Sequence, residues 1–179
     1  MNGGMFLKVV RDILYLKPGT KSTADLAEAV AERVRDSGIA SVVVASTRGK
    51  TALRLAEALK GSASVVSVTE FTYDGDVKKR MKKLGVTAVE RTDLPIQDRR
   101  GMREALLFFG DGVKAALEVA SIAADKGVAP PGKVVAVAGS RGGLDTALVV
   151  RPAQPSDLFS PDPEKRMSVL EIIAMPLKE

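Results

Sequence analysis

The 179-residue sequence contains neither cysteine nor histidine. The first absence excludes disulfides, thiol nucleophiles and thiolate metal sites. The second removes the imidazole base and, with it, almost every zinc site. No metal site is expected, and any acid–base work falls to Asp, Glu, Lys or Tyr. Tryptophan is missing and aromatics make up only 4% of the chain. That is too few for the stacked-aromatic surface of a single-strand nucleic-acid binder. No apolar run approaches the roughly 20 residues of a membrane-spanning helix. The opening MNGGMFLKVVRD has an apolar patch too short for a secretory signal, with no small-residue cleavage pattern after it. These absences give the expectation of a cytoplasmic protein without a membrane partner. Asn2 is the single asparagine; few thermolabile side chains beside many Lys, Arg and Glu hint at a thermophilic source.

What is present is globular in balance, 45% hydrophobic and 27% charged. The length suits one domain, spanning 1–179, with a full core. A net charge of +5 favours anionic partners without choosing among them.

Periodicity orders the chain. STADLAEAVAERVRDSG puts Leu26, Val30 and Val34 on one helical face, with Ser22 placed to cap and Gly38 to stop. Ile39 to Ala45 is a β-branched run suited to a central parallel strand. A helix with Ala52, Leu55, Ala56 and Leu59 on one side follows, then a short strand at 63–68. A basic helix aligns Val77, Met81 and Leu84, and a short strand at 86–90 follows it. From Met102 to Lys126 the pattern is helical, broken near Gly110 and Gly112. Strands at 133–139, 146–152 and 169–176 then cluster without intervening helices. Alternation first and clustered strands last predict an α/β fold: a three-layer αβα sandwich, mostly parallel, with antiparallel C-terminal strands.

Two loops carry the chemistry. VVVASTRGKTAL joins a strand to a helix through Ser46, Thr47, Arg48, Gly49, Lys50 and Thr51. Gly-Lys-Thr evokes the nucleotide-triphosphate P-loop, but the position that needs glycine, separated by four residues from Gly49-Lys50-Thr51, is Val44, which belongs to the strand. No carboxylate is well placed to hold the metal, so an NTPase is excluded. A simpler anion site survives: free N–H groups and the positive dipole end of a helix, hydroxyls from Ser46, Thr47 and Thr51, charge from Arg48 or Lys50, and Gly49 for close approach. The same residues also describe a plain strand-to-helix turn with hydroxyl caps. The second loop, in VAVAGSRGGLDTALVV, carries Gly139, Ser140, Arg141, Gly142, Gly143, Asp145 and Thr146. Its glycines and arginine can form an anion-accepting concavity, or a tight hairpin, or both at once. Arg141 is expected to face the anion, and Asp145 to cap the loop's own N–H groups.

Lys78, Lys79, Arg80, Lys82 and Lys83 read as a solvated outer face rather than a nucleic-acid surface, because neither interleaved aromatics nor a recognisable module accompanies them. Glu118 falls within the apolar stripe region, pointing inward or sitting at a boundary; buried near Arg141 or Arg151 it would be a structural ion pair rather than a catalyst.

Two loops of these forms, in this order, resemble the C-terminal domain of pyruvate kinase, where they hold a phosphate of a sugar bisphosphate. The chain is more closely similar to a stand-alone archaeal and bacterial family of uncharacterised proteins with that fold, through YLKPGT, VVVAST, VASIAADKG, VAGSRGGLDTALVVRPA and EIIAMP. The resemblance implies a flavin mononucleotide (FMN) ligand, held by residues 46–51 and by Gly139, Ser140, Arg141, Gly142, Gly143 and Thr146. The chain departs from the family's pattern at Glu70-Phe71-Thr72-Tyr73-Asp74-Gly75 and in a short loop at 91–103, segments that would shape the pocket over the flavin ring. Three functions follow: a binder of a phosphorylated small molecule, FMN above all; a flavoenzyme or an enzyme on a phosphorylated metabolite using Lys50, Glu70 and Asp145; or a nucleic-acid binder using the basic helix. A homo-oligomer is left open.

Overall fold

In the computed structural model, residues 8–178 are described. Their strands are β1 (Leu14–Leu16), β2 (Ser41–Ala45), β3 (Ser64–Val68), β4 (Val86–Val89), β5 (Val134–Ala138), β6 (Thr146–Arg151) and β7 (Ser168–Pro176). The helices are α1 (Thr23–Ser37), α2 (Lys50–Leu59), α3 (Gly75–Lys83), α4 (Arg100–Leu107) and α5 (Asp111–Asp125). A single 3₁₀ turn, Thr20–Ser22, leads into α1. None of these helices is long and apolar enough to cross a membrane.

The strands form one sheet in the order β1-β7-β6-β5-β2-β3-β4. β2 pairs parallel with β3 and with β5, β3 with β4, and β1 with β7. β6 alone runs against its neighbours, antiparallel to both β5 and β7. The late cluster of strands is thus a hairpin followed by a return to the common direction. β1 was not expected as a strand; its three residues acquire that conformation by pairing with Ala174–Pro176.

The sheet divides the core in two, as alternating side chains require. Val42 and Val44 of β2, with Val135 and Val137 of β5, face Leu26, Val30, Leu53, Leu55 and Met81 from α1, α2 and α3. Val43 of β2, with Val134, Ala136 and Ala138, faces Val113, Ala116, Leu117 and Ala120 of α5. Central strands apolar on both faces explain the uninterrupted hydrophobic runs in the sequence. α1 stops at Gly38, whose left-handed backbone (φ 66°) lets its N–H reach the Val34 carbonyl at 3.0 Å.

One consequence of the strand order positions the site. From β2 the chain steps outward to β3 and β4, then returns through α5 to lay β5 on the other side of β2. β2 and β5 are therefore the pair at which the winding direction reverses, where open α/β sheets form a crevice beyond the strands' carboxyl ends.

Candidate functional site

Both loops singled out in the sequence leave the strands at this reversal. Residues 46–49 follow β2 and residues 139–145 follow β5, and Val44 stands beside Val137 in the register. A cleft of about 440 Å³ opens between them. It is lined by Ala45, Ser46, Thr47, Arg48, Lys50 and Thr51 on one side, Gly139, Gly142 and Gly143 on the other, and Ala115 of α5 at the back. No acidic residue belongs to that lining. Two larger depressions, beside the Arg33–Glu171 pair and between α1 and α2, share no lining residue with this cleft.

The first loop is held by its own hydroxyls. Ser46 is buried; its Oγ lies 2.7 Å from Thr51 Oγ1 and accepts from the Ala52 N–H at 3.4 Å. Its own N–H donates to the Val68 carbonyl of β3 at 3.1 Å. Thr69 Oγ1 donates to the Thr47 carbonyl at 3.3 Å. What faces the cleft freely is the first turn of α2 together with Thr47, Arg48 and Lys50, all exposed. Among the described residues, neither Arg48 nor Lys50 makes an ion pair or side-chain hydrogen bond.

Gly49 plays another part than close approach to a ligand. Its φ is 78°, and a Cβ there would stand 2.5 Å from Val77 Cγ1 and 2.7 Å from Met81 Cε. The glycine lets α3 pack against the loop, on the side away from the cleft, and Gly49 is absent from the cleft's lining.

The second loop is a hairpin tip and a cleft wall together. Arg141 (φ 51°) and Gly142 (φ 77°) both have left-handed backbone, and the Gly143 N–H donates to the Ser140 carbonyl at 3.1 Å. That is the φ pattern of a type I′ turn. Two glycines serve backbone contacts: a Cβ on Gly143 would collide with the Gly19 carbonyl oxygen, and one on Gly139 with that of Gly143. The loop is thereby pressed onto the entry to α1, where Leu144 N–H also donates to Thr23 Oγ1 at 3.1 Å. These glycines are needed by the fold whether or not an anion binds.

Asp145 is fully buried and caps the loop as expected: Oδ2 accepts from Ser140 N–H (3.1 Å) and Ser140 Oγ (2.8 Å), and Oδ1 from Thr146 Oγ1 (2.8 Å). Thr146, placed in the site from sequence, is buried instead beneath α5, against Gly112, where a side chain larger than hydrogen would strike its hydroxyl. Arg141 is exposed at the turn's tip and, like Ser140, is not part of the lining.

A smaller recess of about 140 Å³ adjoins the cleft, sharing Ala45, Ser46, Thr47 and Ala115 with it. Val68, Thr69, Glu70, Phe71, Thr92, Leu94, Lys114, Glu118 and Val119 complete its walls. The divergent segments after β3 and after β4 thus stand over one flank of the site.

Glu118 departs from its expected role. It pairs with neither Arg141 nor Arg151; Arg151 donates to the Pro163 carbonyl. Glu118 is 3% exposed, and its two oxygens accept the Ile96 N–H at 2.6 Å and the Gln97 N–H at 2.9 Å. Burial pushes its carboxyl above the usual range, against the opposing pull of those two N–H groups and of Lys114. Sequence spacing offered no sign of these partners, which lie on a loop 21 and 22 residues away.

Tyr73 and Glu90 brace the segment after β3. Tyr73 is buried with its hydroxyl 2.7 Å from Ser67 Oγ, and burial pushes its phenol up to about 12. Glu90 accepts the Tyr73 N–H at 2.6 Å and pairs with Lys78 at 2.9 Å. Burial opposes its ionisation, but the bonds from Lys78 and Tyr73 prevail and hold its carboxyl below the usual range. The basic residues of α3 are all exposed, and Lys78, Lys79 and Arg80 each have a carboxylate partner.

A family model described as "Pyruvate kinase, alpha/beta domain" matches residues 24–150. The matched span runs from α1 through β6, and both cleft loops lie within it.

Proposed function

The chain belongs to the pyruvate kinase alpha/beta domain family, and we propose that it binds a phosphate-bearing small ligand, FMN first among them, in the cleft between β2 and β5. The observation that carries this reading is the meeting of the two loops at the reversal of strand order. The phosphate would sit over the first turn of α2, where the Lys50 and Thr51 N–H groups lack intrahelical acceptors and the dipole favours an anion. Arg48 and Lys50 add unneutralised positive charge, Thr47 a hydroxyl, and the lining adds no carboxylate to repel the ligand. The rest of the ligand would extend toward the recess, where Val68, Phe71, Leu94 and Val119 offer apolar contact.

The enzyme reading loses one of its three groups. Asp145 is engaged inside its own loop, which leaves Lys50 at the cleft and Glu70 at the recess. Binding is the reading these groups support best.

The experiment is a visible absorbance spectrum of freshly purified protein, with mass spectrometry of whatever it releases on denaturation. A phosphorylated compound, showing flavin bands if it is FMN, is the expected result. Protein that carries no phosphorylated compound, and that in titration binds neither FMN nor inorganic phosphate, would contradict the reading.

A further inference from the structure

Glu118 is a buried carboxylate with no ion-pair partner among the described residues, and what it holds is a piece of backbone. Thr92 to Arg99 runs beside the recess, contributing Thr92 and Leu94 to its wall. The segment closes into helical turns at Leu94–Arg99, where Asp98 N–H bonds to the Leu94 carbonyl and Arg99 N–H to that of Ile96. Such a turn leaves its leading N–H groups without local acceptors. Glu118, reaching across from α5, takes two of them, at Ile96 and Gln97. Lys114, one turn earlier on α5, holds the Gln97 side chain through its carbonyl oxygen. Ile96 itself is 0% exposed, plugged into the core beside α5. Three contacts from one helix therefore pin the segment at Ile96 and Gln97, and Thr92 at its start is bonded to the Thr69 carbonyl.

Pinned in this way, the recess is small. Its 140 Å³ is close to the roughly 150 Å³ of an apolar cavity known to hold a single benzene ring. A three-ring flavin does not fit in that volume.

We propose that Glu118 is a positioning residue that sets ligand size at this site: with residues 92–99 latched, the recess admits a single-ring or pentose-sized group. A flavin ring enters only when that segment moves off α5. This rests on the phosphate-binding reading above and deepens it, because it divides compact phosphate esters from FMN.

The test compares the full-length wild type with Glu118→Gln and Ile96→Val, using inorganic phosphate, ribose 5-phosphate and FMN as probes in calorimetric titration. Glu118→Gln exchanges one acceptor oxygen for an amide that cannot accept an N–H; Ile96→Val only trims the plug and keeps the proposal testable if the first variant does not fold. The expected result is that inorganic phosphate affinity holds, while FMN affinity rises roughly fivefold to tenfold relative to ribose 5-phosphate, the equivalent of about one hydrogen bond released from the latch. Hydrogen exchange at the Ile96 and Gln97 amides gives the readout a merely structural role would not move: faster exchange in the wild-type FMN complex than in the ribose 5-phosphate complex. Protection equal in the two complexes, with the affinity ratio unchanged in the variants, would overturn the proposal. Failure of inorganic phosphate to bind the wild type would instead strike the underlying reading.

Discussion

Asp145→Ala is the perturbation whose cost can be worked most directly. The substitution removes three hydrogen bonds to one fully buried carboxylate, two from Ser140 and one from Thr146. Hydrogen bonds to a charged group contribute about 1.5–3 kcal/mol each, but the three share one side chain and are not additive. The lost attraction is also offset in part by the carboxylate's own desolvation. A net loss of roughly 3–5 kcal/mol is the resulting expectation. For a chain of this length each kcal/mol moves the midpoint by about 2–4 °C, so Tm should fall by roughly 6–20 °C. The assay is thermal unfolding by circular dichroism beside a titration with FMN. Affinity should fall only as far as the hairpin loosens. A variant that melts within a degree or two of wild type yet no longer binds would refute the reasoning, since Asp145 would then be spending its charge on the ligand rather than on its loop.

Arg141→Asn should raise stability by roughly 0.5–1 kcal/mol, because asparagine tolerates the left-handed backbone that arginine adopts here at φ 51°; thermal unfolding checks it, and titration of the same variant with inorganic phosphate should show weaker binding. Gly49→Ala should destabilise by about 2–4 kcal/mol through its positive φ and its overlap with Val77 and Met81, measured by urea unfolding, with any loss of binding tracking the loss of fold. Glu90→Gln should cost stability at neutral pH and nothing in strong acid. The folded-state carboxyl lies below its unfolded value, so its contribution is present above the unfolded range and disappears as pH falls through the folded one. Unfolding midpoints of both proteins from pH 7 to pH 3 should therefore converge.

Much of this fold is written locally. The valines of β2 and the unbroken apolar run of β5 declare strands buried on both faces, and Gly38 marks where α1 must stop. The two loops follow the two most apolar strands, and the cleft forms where those strands lie side by side. Illegible were the contacts between distant segments. Three residues of β1 carry too little pattern to announce a strand, and only pairing with β7 makes them one. Gly139 and Gly143 read equally well as an anion nest or as a turn; that Gly143 is small to admit the Gly19 carbonyl depends on a contact spanning most of the chain. Thr146 shares its loop with residues that line the cleft, yet strand alternation turns it under α5. Glu118 was visible as a carboxylate on an apolar stripe, but its partners are backbone N–H groups, which no side-chain pattern reveals.

The central claim is that the cleft recognises a phosphate, and the most direct measurement is paired calorimetric titration of the protein with FMN and with riboflavin, repeated on Lys50→Ala. The account predicts that FMN binds more tightly than riboflavin, and that Lys50→Ala weakens FMN by roughly 1.5–3 kcal/mol, one charge-assisted contact, while leaving riboflavin unchanged. Equal affinity for the two ligands, with no effect of Lys50→Ala on either, would contradict it.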